Sequence, residues 1–169
     1  VAIINAEIIK YANSNSDCMG MGTTLVLAIL TEEFLIFGNV GDSSGFVLKN
    51  KKLHKVTKDH TLVNVLVESG ELTEEEAANH PKKNVLMRAL GASDKQELDK
   101  FAVETDIDAI LLCSDGLTNM LSNEQIENIL NDEELDIERK LTKIVRKCNS
   151  RGGTDNISVA YLVKESKEL

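Results

Sequence analysis

Three aspartates carry the chemistry that this sequence can do. Asp115 follows the apolar run Ala109-Ile110-Leu111-Leu112-Cys113 and precedes Gly116; Asp42 stands between Gly41 and Ser43; Asp155 follows Gly152-Gly153-Thr154. A carboxylate at the mouth of a buried strand must have its charge met, because burying it unpaired is expensive. A metal ion, a cationic side chain or a helix N-terminus can meet it. Taken singly, each reads as a turn aspartate, since Asp and Gly dominate turns for local reasons. Three such corners beside Ser or Thr, at the same kind of junction, invite oxygen ligation of Mg²⁺ or Mn²⁺.

Strands and helices must hold these corners in place. The spacing of Val1, Ile4, Ile8 and Ala12 predicts a helix over residues 1–13. Leu25–Leu30 and Phe34–Val40 read as strands joined by a link too short for anything but antiparallel neighbours. After the turn at Gly41-Asp42-Ser43-Ser44 come a third strand, Gly45–Leu48, and a fourth, Leu53–Thr57. Residues 59–83 then change character. A short helix ends at Ser69-Gly70, and Thr73 with Glu76 forms a capping box for another that Pro81 stops. This acidic excursion has the character of an insertion over a site. Phe101–Thr105 is expected to pair with Ala109–Cys113 through Asp106-Ile107-Asp108. Ser122, with Gln125 three residues on, caps the helix 122–130; a second helix spans Ile137–Cys148, and Ile157–Val163 is the closing strand before a charged tail, Lys164–Leu169.

Composition narrows the function. A length of 169 residues fits one domain with a real core, and 42% hydrophobic with 28% charged residues is ordinary for a soluble globular protein. A net charge of −9 argues against nucleic acid as a partner, since phosphate backbones are held by Lys and Arg clusters. No apolar run approaches the ~20 residues of a membrane span. Three cysteines, Cys18, Cys113 and Cys148, without metal-ligand spacing suit a reducing cytosol, hence a cytoplasmic protein. There is no phosphate loop of the Gly-x-x-x-x-Gly-Lys type, no His-Glu-x-x-His helix and no Gly-x-Ser-x-Gly elbow. His54, His60 and His80 lie apart and read as solvated or capping side chains rather than catalytic ones.

Met21-Gly22-Thr23-Thr24, Gly38-Asn39-Val40-Gly41-Asp42-Ser43, Cys113-Ser114-Asp115-Gly116-Leu117 and Gly152-Gly153-Thr154-Asp155-Asn156 resemble, in order, the motifs of the metal-dependent protein phosphatases of type 2C. Lys58–Val63, Glu68–Ala77, His80-Pro81, Asn84-Val85-Leu86 and Arg88–Gly91 resemble the bacterial serine/threonine branch in particular. The resemblance implies an α+β fold, an α-β-β-α sandwich of two antiparallel sheets flanked by helices, as a single catalytic domain over 1–169 with residues 59–83 as a flap. It implies a dinuclear Mn²⁺ or Mg²⁺ site with Asp115 and Asp155 as catalytic ligands of the first metal, and Asp42 joining Asp115 at a third, weaker one. A metal-activated water would then hydrolyse phosphoserine and phosphothreonine in phosphorylated proteins, themselves substrates of a serine/threonine kinase.

The chain also departs from the family's pattern. The family's upstream Asp-Gly-x-Gly-Gly motif, whose aspartate bridges the metals, is not found, nor are the preceding acidic residue and phosphate-gripping arginine. The expectation is therefore an N-terminally truncated fold, the C-terminal portion of the domain, weak or inactive by itself. The family often has arginine where Ser44 stands. The alternative to an enzyme is a truncated, inactive phosphatase fold acting as a binding or regulatory module.

Overall fold

A strand that is apolar on both faces must be covered on both, and that requirement builds the centre of this fold. The computed structural model describes residues 1–164. Helix α1 (Ala2–Ser14) is followed by strands β1 (Leu25–Leu30), β2 (Leu35–Val40), β3 (Ser44–Lys49) and β4 (Lys52–Lys55). Helices α2 (Leu62–Glu68) and α3 (Glu74–Ala78) come next, then β5 (Asp99–Val103) and β6 (Ala109–Cys113). Helices α4 (Asp115–Thr118), α5 (Asn123–Leu130) and α6 (Ile137–Ser150) lead to β7 (Val159–Val163). The strands form two antiparallel sheets flanked by helices, one of order β1-β2-β5 and one of order β4-β3-β6-β7.

The chain divides into two compact units. One holds Val1–Val26, Gly38–Ser43 and Lys58–Lys100; the other holds Leu27–Phe37, Ser44–Thr57 and the chain from Phe101 on. In the second unit, β6 lies between β3 (Ser44 opposite Cys113, Leu48 opposite Ala109) and β7 (Cys113 opposite Val159). Successive side chains of a strand point to opposite faces. Phe46, Leu48, Leu111 and Cys113 therefore pack with Leu117, Ile126, Ile129, Ile144 and Cys148 of α4, α5 and α6. Val47 and Ile110 face the other way, into a second core with Leu35, Phe37 and Ile107. Gly45 is required there, because a Cβ would stand 2.6 Å from the Phe37 ring.

Several expectations hold in detail. Ser122 Oγ accepts from the Gln125 N–H and Gln125 Oε1 from the Ser122 N–H, and the Thr73–Glu76 box has the same reciprocal form. Others need correction. Residues 101–105 do not pair with 109–113: β5 lies beside β2, because both edges of β6 are already taken by β3 and β7. The link between them is not a hairpin turn. Asp108 N–H donates to the Leu48 carbonyl at 2.8 Å and Ile107 is buried, so the segment carries the chain from one sheet to the other. The fourth strand stops at Lys55 because the N–H groups of both Val56 and Thr57 turn onto one acceptor, the Gly45 carbonyl, while Thr57 Oγ1 takes the Gly45 N–H.

Helix α1 keeps most of its expected face, with Ala12 buried and Val1 and Ile8 partly so, but departs from it at Ile4. Asn5 is buried in its stead: Ile4 is half exposed, whereas Asn5 donates to the Ser93 and Asp94 carbonyls and accepts the Gly91 N–H at 2.7 Å. Three hydrogen-bonding groups on a loop outweigh one aliphatic side chain here. Of the charged tail, Lys164 is described and the remainder lies outside the described residues. Among the described residues no helix is long and apolar enough to cross a membrane, and no disulfide joins the cysteines.

Candidate metal-binding corners

In the second unit, the backbone leaves β6 at Ser114, which is extended (φ −74, ψ 164), and turns into α4 with Asp115 as its first residue. The Asn119 side-chain amide donates to Asp115 Oδ2 at 3.1 Å from one helical turn away. Opposite, Gly152 (φ +125) and Gly153 (φ +51) take left-handed conformations that side chains disfavour, and so bring the chain from α6 round to Asp155. Asp155 Oδ1 accepts the Asn156 N–H at 2.7 Å, which fixes that carboxylate against its own turn. Asp115 is half-buried and Asp155 exposed.

The two corners are stitched together. Ser114 Oγ accepts the Ser158 N–H at 3.0 Å and donates to the Asn156 carbonyl at 3.1 Å, while the Ser114 N–H donates to the Ser158 carbonyl at 3.0 Å. This is why β7 begins at Val159 rather than Ile157: a side-chain hydroxyl takes over where the backbone ladder stops. Gly116 permits the approach, since a Cβ at that position would collide with the Asn156 carbonyl oxygen. Arg151 anchors the root of the second corner, donating at 2.6 Å to both the Met120 carbonyl and Gln125 Oε1, the same amide oxygen that closes the α5 cap.

Asp42 belongs to the other unit, half-buried in the turn between β2 and β3. Gly41 (φ +107) is held under the Thr24 side chain, where a Cβ would collide, and Ser43 Oγ lies 2.8 Å from Thr24 Oγ1. The Asn39 amide donates to the carbonyls of Gly41 (3.0 Å) and Lys58 (2.9 Å). His60, expected as a solvated or capping residue, is instead 7% exposed and bonded to Gly41. Its partners are far away in sequence, so no local pattern marks it.

The donors are hard carboxylate oxygens, the type that Mg²⁺ and Mn²⁺ take, and one or two carboxylates can hold such an ion that keeps its waters. Asp115 and Asp155, on adjoining corners, fit that requirement in kind. Among the described residues no group of three or more His, Cys, Asp or Glu side chains gathers as a cage.

The sequence and fold have close counterparts. The family model described as protein phosphatase 2C matches residues 3–160. The serine/threonine phosphatase Stp of Listeria monocytogenes is 45% identical over 163 residues, covering 96% of this chain and 64% of its own length. The chain therefore spans less than two thirds of that relative. The crystal structure of serine/threonine phosphatase Stp1 from Staphylococcus aureus superposes with a TM-score of 0.91 at 32% identity, over 98% of this chain and 65% of that one. The catalytic domain of the serine/threonine protein phosphatase PstP, in complex with two manganese ions, superposes with a TM-score of 0.78 at 32% identity, over 92% of this chain and 64% of that one. By its matching sequence, its two antiparallel sheets and its flanking helices, the chain belongs to the protein phosphatase 2C family.

Proposed function

We propose that this chain forms part of a metal-dependent protein phosphatase that hydrolyses phosphoserine and phosphothreonine in proteins modified by a serine/threonine kinase. The observation that carries the reading is the pair of aspartate corners joined through Ser114 and Asn156. Asp115 and Asp155 would hold the first of two Mn²⁺ or Mg²⁺ ions, and Asp42 would serve a further, more weakly held ion. When bound, such ions lower the pKa of a water and neutralise charge on the transferring phosphoryl group.

The chain's own residues would orient the donors. Asn119 turns Asp115 Oδ2, the Asn156 N–H turns Asp155 Oδ1, and Ser114 holds the two corners in register. Preset donors of this kind lower the reorganisation needed when charge develops. The domain would run over residues 1–169, with residues 59–83 as the flap that receives the phosphoprotein. A cytoplasmic setting goes with thiols not joined as disulfides.

The test is Mn²⁺-dependent hydrolysis of a phosphothreonine peptide by the purified chain, with a chelator control. Weak turnover or none by the chain alone, and turnover that the chelator removes once the segment that relatives carry upstream is added, is the expected result. Binding of Mn²⁺ and phosphopeptide without turnover, even when the segment that relatives carry upstream is added, would replace the enzyme with a regulatory module.

A further inference from the structure

We propose that His60 is a positioning residue for Asp42, fixing the Gly41-Asp42 turn from beneath. The proposal rests on the reading of Asp42 as a metal ligand. His60 holds both polar groups of the Gly41 backbone: its N–H donates to the Gly41 carbonyl at 2.9 Å, and its ring Nδ1 accepts the Gly41 N–H at 3.0 Å. The residue so clamped is the one immediately before Asp42, and it takes a φ of +107 with the Thr24 side chain packed against its other face. What holds Gly41, the Asn39 amide and His60 together, therefore bears directly on how the next residue, Asp42, is presented.

The ring is itself held from the other side. An accepting Nδ1 carries no proton, so the ring proton lies on Nε2 and points at Asp99 Oδ2, 3.0 Å away. Arg88 Nη1 lies 3.1 Å from Nε2 and donates to Asp99 Oδ1 at 2.8 Å, and Arg88 Nη2 donates to the Glu97 carbonyl. Burial pushes the Asp99 carboxyl up, but the Arg88 hydrogen bond, the His60 hydrogen bond and the Arg88 charge outweigh it and hold the group below its ordinary range. Met87 N–H donates to the His60 carbonyl at 2.8 Å. A carboxylate that fixes the tautomer and tilt of an imidazole, which in turn holds the functional group, is the arrangement by which outer residues tune metal ligands. A merely packed histidine would need no acceptor aimed at this one amide.

The experiment compares His60→Asn, His60→Gln and His60→Leu in the 169-residue chain. An Asn oxygen can stand near the place of Nδ1; a Gln oxygen reaches toward Nε2 instead, and Leu offers no acceptor. Three quantities are read: amide exchange at Gly41, Tm, and Mn²⁺ half-saturation followed by the spin resonance of free Mn²⁺. The Gln and Leu variants are expected to speed Gly41 exchange and weaken the more weakly held Mn²⁺ by about tenfold or more, with Asn close to wild type. Asp99→Asn, which leaves His60 in place, should give a smaller effect of the same kind, and it keeps the test open if a His60 variant does not fold. Unchanged Gly41 exchange and Mn²⁺ binding in a folded His60→Gln or Asp99→Asn chain would overturn the proposal. So would losses of Tm alone, equal across all three substitutions. If wild type itself binds no Mn²⁺, the metal-site reading fails, whereas the Gly41 exchange still decides what His60 holds.

Discussion

The Ser114 hydroxyl and the Asn156 carbonyl, 42 residues apart in sequence, meet at 3.1 Å, and each belongs to a residue adjacent to a candidate metal ligand. Ser114 precedes Asp115 and Asn156 follows Asp155, so one hydrogen bond relates two carboxylate-bearing corners. The same oxygen accepts the Ser158 N–H. The separation of the two aspartates is thus governed by a side chain that has no ligand role of its own.

Ser114→Ala removes both bonds of that hydroxyl and adds no bulk. The expected loss of stability is about 1–2 kcal/mol, read as a shift of the urea midpoint at unchanged slope. The Mn²⁺ needed for half-maximal effect should rise severalfold, since the two corners lose their register. Unchanged Mn²⁺ dependence alongside the stability loss would assign Ser114 to the fold alone.

Gly116→Ala tests the close approach from the other side. The new methyl meets the Asn156 carbonyl oxygen, which is backbone and cannot swing away as a side chain could. A loss of about 1–3 kcal/mol is expected, the usual result of overpacking. A fully stable variant would show that the turn at Asn156 yields easily, and would weaken the case for a rigid pair of corners.

Legibility follows the range over which each feature is determined. The two capping boxes are visible in four-residue patterns, and the structure forms both. Strand β6, apolar at every position, announced that both of its faces are buried. Its partners were not announced: whether Phe101–Thr105 or Ser44–Lys49 and Val159–Val163 flank it depends on edges competing across the sheet, which no local pattern records. The aspartate corners were legible because glycine and a neighbouring hydroxyl mark them locally. His60 was not, since its partners Gly41, Arg88 and Asp99 lie 19, 28 and 39 residues away. Asn5 was missed for the same reason, its loop partners lying more than 80 residues downstream.

Asp115→Asn and Asp155→Asn separate ligand chemistry from folding. Asparagine keeps an acceptor oxygen for the Asn119 amide in one case and for the Asn156 N–H in the other, so Tm should move by no more than about 3 °C. With the segment that relatives carry upstream supplied, metal-dependent turnover should fall on the order of 100-fold or more, because an amide oxygen lacks the charge that holds the ion. Asp42→Asn should act more mildly, chiefly at low metal. Near-normal turnover in the Asp115 or Asp155 variant would remove that residue from the site, and wild-type metal dependence in the Asp42 variant would remove Asp42.

Glu127 provides a pH-dependent test of the second unit. Its Oε1 accepts the Leu53 N–H at 2.9 Å and its Oε2 the Lys52 ammonium at 3.0 Å, tying α5 to β4. The backbone bond from Leu53, then that from Lys52, hold this carboxyl below its ordinary value of 4.5. The unfolded chain therefore binds the proton more tightly than the folded one, and stability rises with pH through this window. The contribution is fully present above the unfolded value of 4.5 and disappears as pH falls through the lowered folded value. Glu127→Gln should accordingly cost about 1–2 kcal/mol near neutrality, since the neutral amide keeps the Leu53 bond and loses the charged pairing. Below the folded pKa the difference from wild type should shrink toward that of two neutral side chains. Urea unfolding of both proteins over a pH series reads the difference directly, and a difference that stays constant with pH would mean that the Glu127 charge contributes nothing to the fold.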